Sequence, residues 1–118
     1  MTKSTSTSGD HVLDVAASLF RRKGFAATTV REIAGAAGIL PGSLHYRYAS
    51  KEDLLITLME RAIARLTEAI RDAVAVSRDP AERLRLALRA HLRLLLSGDD
   101  AVYVLLYDWR AMTSGAAR

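Results

Sequence analysis

The stretch from Thr28 to Lys51, TTVREIAGAAGILPGSLHYRYASK, restricts the possible folds more than any other part of the 118 residues. Thr29 and Glu32 stand at capping-box spacing, where a hydroxyl and a carboxylate each satisfy a backbone N–H left open at a helix start. Thr28 is a second candidate cap. Val30, Ile33, Ala34 and Ala37 then fall on one side of a 3.6-residue period, and the small residues Ala34, Gly35, Ala36 and Ala37 allow another helix to approach closely. Gly38 takes the turn position, Ile39 plugs the angle behind it, and Pro41 suits a first helical position, where its missing N–H costs nothing. The pattern predicts helix, glycine turn and a second short helix over 42–48. That second helix is too short to stand alone. It buries Leu44 and one aromatic and leaves Ser43, His45, Tyr46 and Arg47 outward.

The flanks read as helices too. Ser8 or Asp10 can cap a first helix ending near Arg22 or Lys23, with Val12, Leu13, Ala16, Leu19 and Phe20 inward and Gly24 as its stop. Ser50 caps a long helix, with Asp53 in the box position. Its inner stripe is Leu55, Leu58, Met59, Ala62, Ile63, Leu66 and Ile70. Asp79, Pro80 and Glu82 open another, predicted to bury Leu84, Ala87, Leu88, His91, Leu92 and Leu95 and to expose Arg83, Arg85, Arg89 and Arg93. Ser97-Gly98-Asp99-Asp100 is a turn, and Val102, Leu105, Leu106 and Trp109 start a last helix ending near Thr113. No stretch alternates as a strand does. The expected fold is all-α: a three-helix helix-turn-helix domain, a long connecting helix and the start of a helical C-terminal domain. The expected divisions are 1–9 as a disordered tail, 10–55 as the helix-turn-helix domain and 56–118 as a partial ligand-binding and dimerisation domain.

Charge singles out the same region. The chain carries a net charge of +4, yet residues 21–51 hold six basic side chains (Arg21, Arg22, Lys23, Arg31, Arg47, Lys51) against Glu32 alone. The rest is close to neutral, so the positive excess sits where a phosphate-facing surface needs it. With no cysteine in the chain, disulfides and thiolate metal sites are excluded. No apolar run reaches the roughly 18 residues of a membrane span, and the N-terminus lacks a signal-peptide core. His11, His45 and His91 lack metal-ligand spacing, and no nucleophile motif or phosphate-binding glycine loop is present. An enzyme is therefore not expected, nor a cofactor, nor a metal.

From Phe20 to Leu55 the sequence resembles the DNA-binding domain of the TetR family of transcriptional regulators. The matching residues are Phe20, Gly24-Phe25, Thr28 to Ala34, Ala37-Gly38-Ile39, Gly42-Ser43-Leu44, Tyr46 and Ser50 to Leu55. The resemblance implies a cytoplasmic, homodimeric, ligand-responsive repressor whose partners are a double-stranded DNA operator and a small-molecule effector. It makes Pro41 to Tyr48 the recognition helix, with Ser43, His45 and Tyr46 reaching bases or nearby phosphates. Thr28, Thr29 and Lys51 would meet the backbone. Arg31, Pro41, Gly42 and Arg47 complete the expected DNA-binding set. Three positions depart from the common pattern: His45 for tyrosine, Arg47 for histidine and Tyr48 for phenylalanine. Members continue through several more helices, the last two forming the dimer interface, so 118 residues are expected to hold only part of such a C-terminal domain.

An effector pocket is expected between the long helix and the two after it, with His91, Tyr103, Tyr107 and Trp109 as candidates; the plainer reading of these is core. Signalling would pass by a tilt of the helix beginning at Lys51. The competing reading of the chain is a truncated helical interaction module without regulated DNA binding.

Overall fold

The computed structural model describes residues 4–108 and 110, with side chains described from His11 onward. Among these residues there is no strand. The helices run α1 (Ser4–Lys23), α2 (Val30–Ala37), α3 (Pro41–Arg47), α4 (Lys51–Val74), α5 (Pro80–Leu95) and α6 (Asp100–Tyr107). None is long and apolar enough to cross a membrane. The end expected near Thr113, and Trp109 with it, lie outside the described residues.

α1 begins ahead of the cap expected at Ser8 or Asp10, so residues 4–9, expected as a disordered tail, are helical here. Serine and threonine are weak helix formers rather than breakers, and a lone glycine costs only about 1 kcal/mol. Its end is where the sequence places it. Gly24 has φ 89° and donates its N–H to the Phe20 carbonyl at 2.8 Å, while Arg21, Arg22 and Lys23 face the negative end of the helix.

One buried cluster joins the head to the later helices. Val12, Ala16 and Phe20 of α1 meet Ile33 and Ala34 of α2, Leu44 of α3, Leu54, Leu55 and Leu58 of α4, and Val102 and Val104 of α6. The stripe expected on α4 holds as far as Ala62. Beyond it Ile63 is exposed and Leu66 and Ile70 are half-buried, because α4 has by then left this cluster.

The expected face of α5 is corrected. Leu84, Leu88 and Leu92 are 63%, 56% and 55% exposed, and no residue of α5 is fully buried. Of the expected face Leu95 does pack on the core, joined there by Leu94, and Ala90 and Leu94 face Ala69 and Ala73 of α4 across a groove. A leucine-rich helix carries apolar residues on more than one side, and period alone does not choose between them.

Ion pairs brace the α5–α6 turn. Arg21 at the end of α1 donates to the Gly98 carbonyl at 2.8 Å and to Asp100 at 2.9 Å, and its guanidinium lies 4.7 Å over the Tyr103 ring. Asp99 caps α6 by accepting from the Ala101 and Val102 N–H groups, and its other oxygen pairs with Arg65 of α4. Arg61 of α4 reaches Asp14 of α1 at 3.1 Å.

Candidate nucleic-acid interface

The geometry of α2 and α3 follows from local chemistry. Thr29 accepts from the Glu32 N–H at 3.1 Å and Glu32 accepts from the Thr29 N–H at 3.1 Å, so the capping box is closed on both sides. At the other end the Gly38 N–H donates to Gly35 at 3.2 Å and the Ile39 N–H to Ala34 at 3.0 Å, with Gly38 at φ 75°. Those two bonds are the Schellman pair, and the left-handed glycine between them turns the chain sharply into α3. Ala34 is buried and Ala37 half-buried at the crossing, whereas Gly35 and Ala36 are exposed. No atom lies within 4 Å of where a Gly35 side chain would stand. Close approach therefore rests on the two alanines rather than on all four small residues.

α3 is held by Leu44, which is fully buried, and by Tyr48, which packs against the core. Around this anchor Gly42, Ser43, His45, Tyr46 and Arg47 are all exposed, Tyr46 by 92%. Pro41 is half-buried at the helix start. The outward set expected from the sequence is thus brought together on one short, rigidly seated helix. Nothing lies within 4 Å of a side chain placed at Gly42, so packing does not require glycine there and the backbone stands open.

The basic cluster divides. Arg21 is spent on the α5–α6 turn and Lys23 pairs with Glu32. Lys51 donates to the Phe25 carbonyl at 2.8 Å and stands 4.3 Å from the Phe25 ring centroid. Its position in the first turn of α4, against the helix dipole, therefore has a partner inside the chain. Arg22, Arg31 and Arg47 are exposed, and none has a salt-bridge partner among the described residues. Lys23 also holds the Glu32 carboxyl below its ordinary pKa, with the Thr29 N–H adding to the effect.

Thr28 is placed against expectation. It is 1% exposed, and its hydroxyl donates to the Gly24 carbonyl at 2.8 Å. It closes the loop between α1 and α2 from inside, and its side chain cannot reach a ligand. Thr29 and Arg31, next to it, are exposed. Leu40 belongs to this surface without any motif in the sequence that marks it. It is the N-cap of α3, makes no side-chain capping bond and is 74% exposed. The available signal was an apolar residue where Ser, Thr, Asp or Asn is usual.

The expected effector residues do not form one pocket. Tyr103 and Tyr107 lie against each other with ring centroids 4.5 Å apart and planes tilted by 37°, and Tyr103 also supports Arg21. His91 is half-buried, and Trp109 lies outside the described residues. A groove of about 480 Å³ does lie between α4 and α5, lined by Ala69, Asp72, Ala73, Ala90, Arg93, Leu94 and Ser97, none of them among the four candidates.

Residues 12–58 match the family model described as bacterial regulatory proteins, tetR family. Over 74 residues the chain is 43% identical to the HTH-type transcriptional repressor KstR2 of Mycobacterium tuberculosis, covering 63% of this chain and 37% of that protein. The solved structure of the ketosteroid transcriptional regulator KstR2 of M. tuberculosis superposes with a TM-score of 0.75 at 34% identity, over 92% of this chain and 55% of that one. The superantigen PfiT superposes with a TM-score of 0.82 at 36% identity, over 94% and 58%. The chain thus spans under half the length of this curated relative and a little over half of these solved chains.

Proposed function

We propose that this chain, which belongs to the TetR family of bacterial regulatory proteins, is a transcriptional regulator that reads duplex DNA through the major groove with α3. The observation that carries the reading is the outward row of Ser43, His45, Tyr46 and Arg47 on a helix anchored from behind by Leu44. Hydroxyl, imidazole and guanidinium groups hydrogen-bond base edges, and an aromatic edge suits a thymine methyl. Pro41 starts the helix, and Gly42 lets the backbone come close. Thr29 and Arg31, at the start of α2, meet phosphate and fix register without reading sequence. Lys51 primarily braces the Phe25 loop, with ammonium donors left for a phosphate. Thr28 belongs to the fold beneath this surface.

A cytoplasmic repressor released by a small molecule is the sense we favour, supported by the KstR2 relative named a repressor. In that scheme the effector enters between α4 and α5, and a homodimer sets two copies of α3 roughly 34–36 Å apart, one turn of DNA.

The test is selection of binding sites from random duplex DNA, followed by salt titration. Arg31→Ala should weaken binding to all sequences alike, lowering the salt slope by about one. Tyr46→Ala should instead erode discrimination between selected and random DNA. Failure to enrich any sequence, with no salt-dependent binding, sinks the reading.

A further inference from the structure

We propose that Leu40 is a specificity-determining residue that reads the C5-methyl group of a thymine. The inference rests on α3 lying in the major groove, as proposed above.

Leucine at this position is poorly suited to the fold alone. Residue 40 is the N-cap of α3, where a side-chain oxygen would accept an open N–H of the first turn; Leu40 makes no such bond. Nor does it gain burial in exchange, being 74% exposed. The backbone there is extended, at φ −74° and ψ 142°, so neighbouring side chains point to opposite sides. Ile39 accordingly packs against the core while Leu40 stands in solvent. Within residues 12–58 the exposed large apolar side chains are Leu40, Tyr46 and Ile56. Two of these three belong to α3, Leu40 as its N-cap and Tyr46 in its last turn, on the short helix that also carries the hydrogen-bonding residues Ser43 and His45.

The partner follows from the chemistry of the groove. Recognition helices meet base edges mainly through their N-terminal residues. In the major groove the thymine methyl is the apolar feature that distinguishes one base pair from another. An aliphatic side chain at the entry to α3, free of any bond to the protein, matches that feature and cannot read a donor or acceptor pattern.

The experiment replaces each thymine of a selected duplex by deoxyuridine, one at a time. This removes the methyl and keeps every hydrogen-bonding group. The wild-type chain should lose about fourfold in affinity at one position, the value of one buried methyl. Leu40→Ala should show no loss at that position while keeping its sensitivity elsewhere, and Tyr46→Ala should still show it. Circular-dichroism melting of Leu40→Ala should stay close to wild type, because the side chain is mostly in solvent. The proposal is overturned if no methyl-dependent position is abolished by Leu40→Ala, or if Tyr46→Ala abolishes that same position. If no duplex is bound at all, the reading of α3 as a DNA probe fails first; binding without a Leu40-dependent methyl effect removes this inference alone.

Discussion

Glu32 ties three pieces of chain together, accepting from the Thr29 N–H at 3.1 Å and its hydroxyl at 3.2 Å and pairing with Lys23 at the end of α1. The Lys23 hydrogen bond and then the Thr29 N–H depress its pKa from the ordinary 4.5. A carboxyl whose folded pKa lies below its unfolded one stabilises the fold above the unfolded value, and that stability is lost as pH falls through the folded value. The group is solvent-exposed, so the effect is modest and screened by salt. Glu32→Gln keeps an acceptor for the Thr29 N–H but cannot pair with Lys23 as an anion. Thermal melts at descending pH should therefore fall less steeply for Glu32→Gln than for wild type. Equal slopes would show that the carboxylate contributes nothing. Thr28 provides a contrasting case. Thr28→Val leaves the Gly24 carbonyl without its buried donor and should cost about 1–2 kcal/mol in denaturant unfolding. DNA affinity of the folded protein should not change, and a loss there would restore Thr28 to the contact surface.

At the scale of elements, α6 and α4 are coupled through one carboxylate. Asp99 holds the first turn of α6 with one oxygen, at 2.8 and 3.2 Å from two N–H groups, and takes Arg65 with the other. Loss of an N-cap costs about 0.5–2 kcal/mol, while a partly exposed ion pair is worth about 0–1 kcal/mol. Asp99→Ala should therefore destabilise more than Arg65→Met. The double variant should cost less than the sum of the two, since both remove the same pair; strict additivity in chemical unfolding would mean that the pair contributes nothing. Such a brace was not legible in the sequence, where Asp99 and Arg65 stand far apart and only the cap could be read. α2 and α3 were legible because their signals are local: the Thr29–Glu32 box, the Gly38 turn and Pro41 each act within four residues. The inward face of α5 was not, because Leu84, Leu88 and Leu92 and the opposing Ala90 and Leu94 are equally apolar. Only the position of α4 decides between them. The same holds for Lys51 and Thr28, whose partners Phe25 and Gly24 are set by how the loop after α1 folds back.

Across the whole molecule, apolar side chains are distributed unevenly. The buried cluster sits at the end formed by α1 to α3, the first half of α4 and α6, whereas Leu84, Leu88, Leu92 and Leu96 of α5 and its C-cap stand in water. This imbalance makes opposite forecasts for two leucines of identical size. Leu58 is fully buried, and Leu58→Ala removes both its transfer free energy and its packing, at a cost of about 2–5 kcal/mol. Leu88 is 56% exposed, so Leu88→Ala gives up little burial and should stay within about 0.5 kcal/mol of wild type. Urea unfolding of this 118-residue chain measures both. A cost at Leu88 approaching that at Leu58 would mean that the α5 row is covered in solution, and the size of that cost would report how much apolar surface the cover removes from water, at about 25 cal/mol per Å². Repeating the pair of substitutions over a range of protein concentration separates the sources of such a cover. A penalty that grows with concentration comes from association between copies, because only the associated state then loses the contact. A penalty independent of concentration comes from within the chain itself.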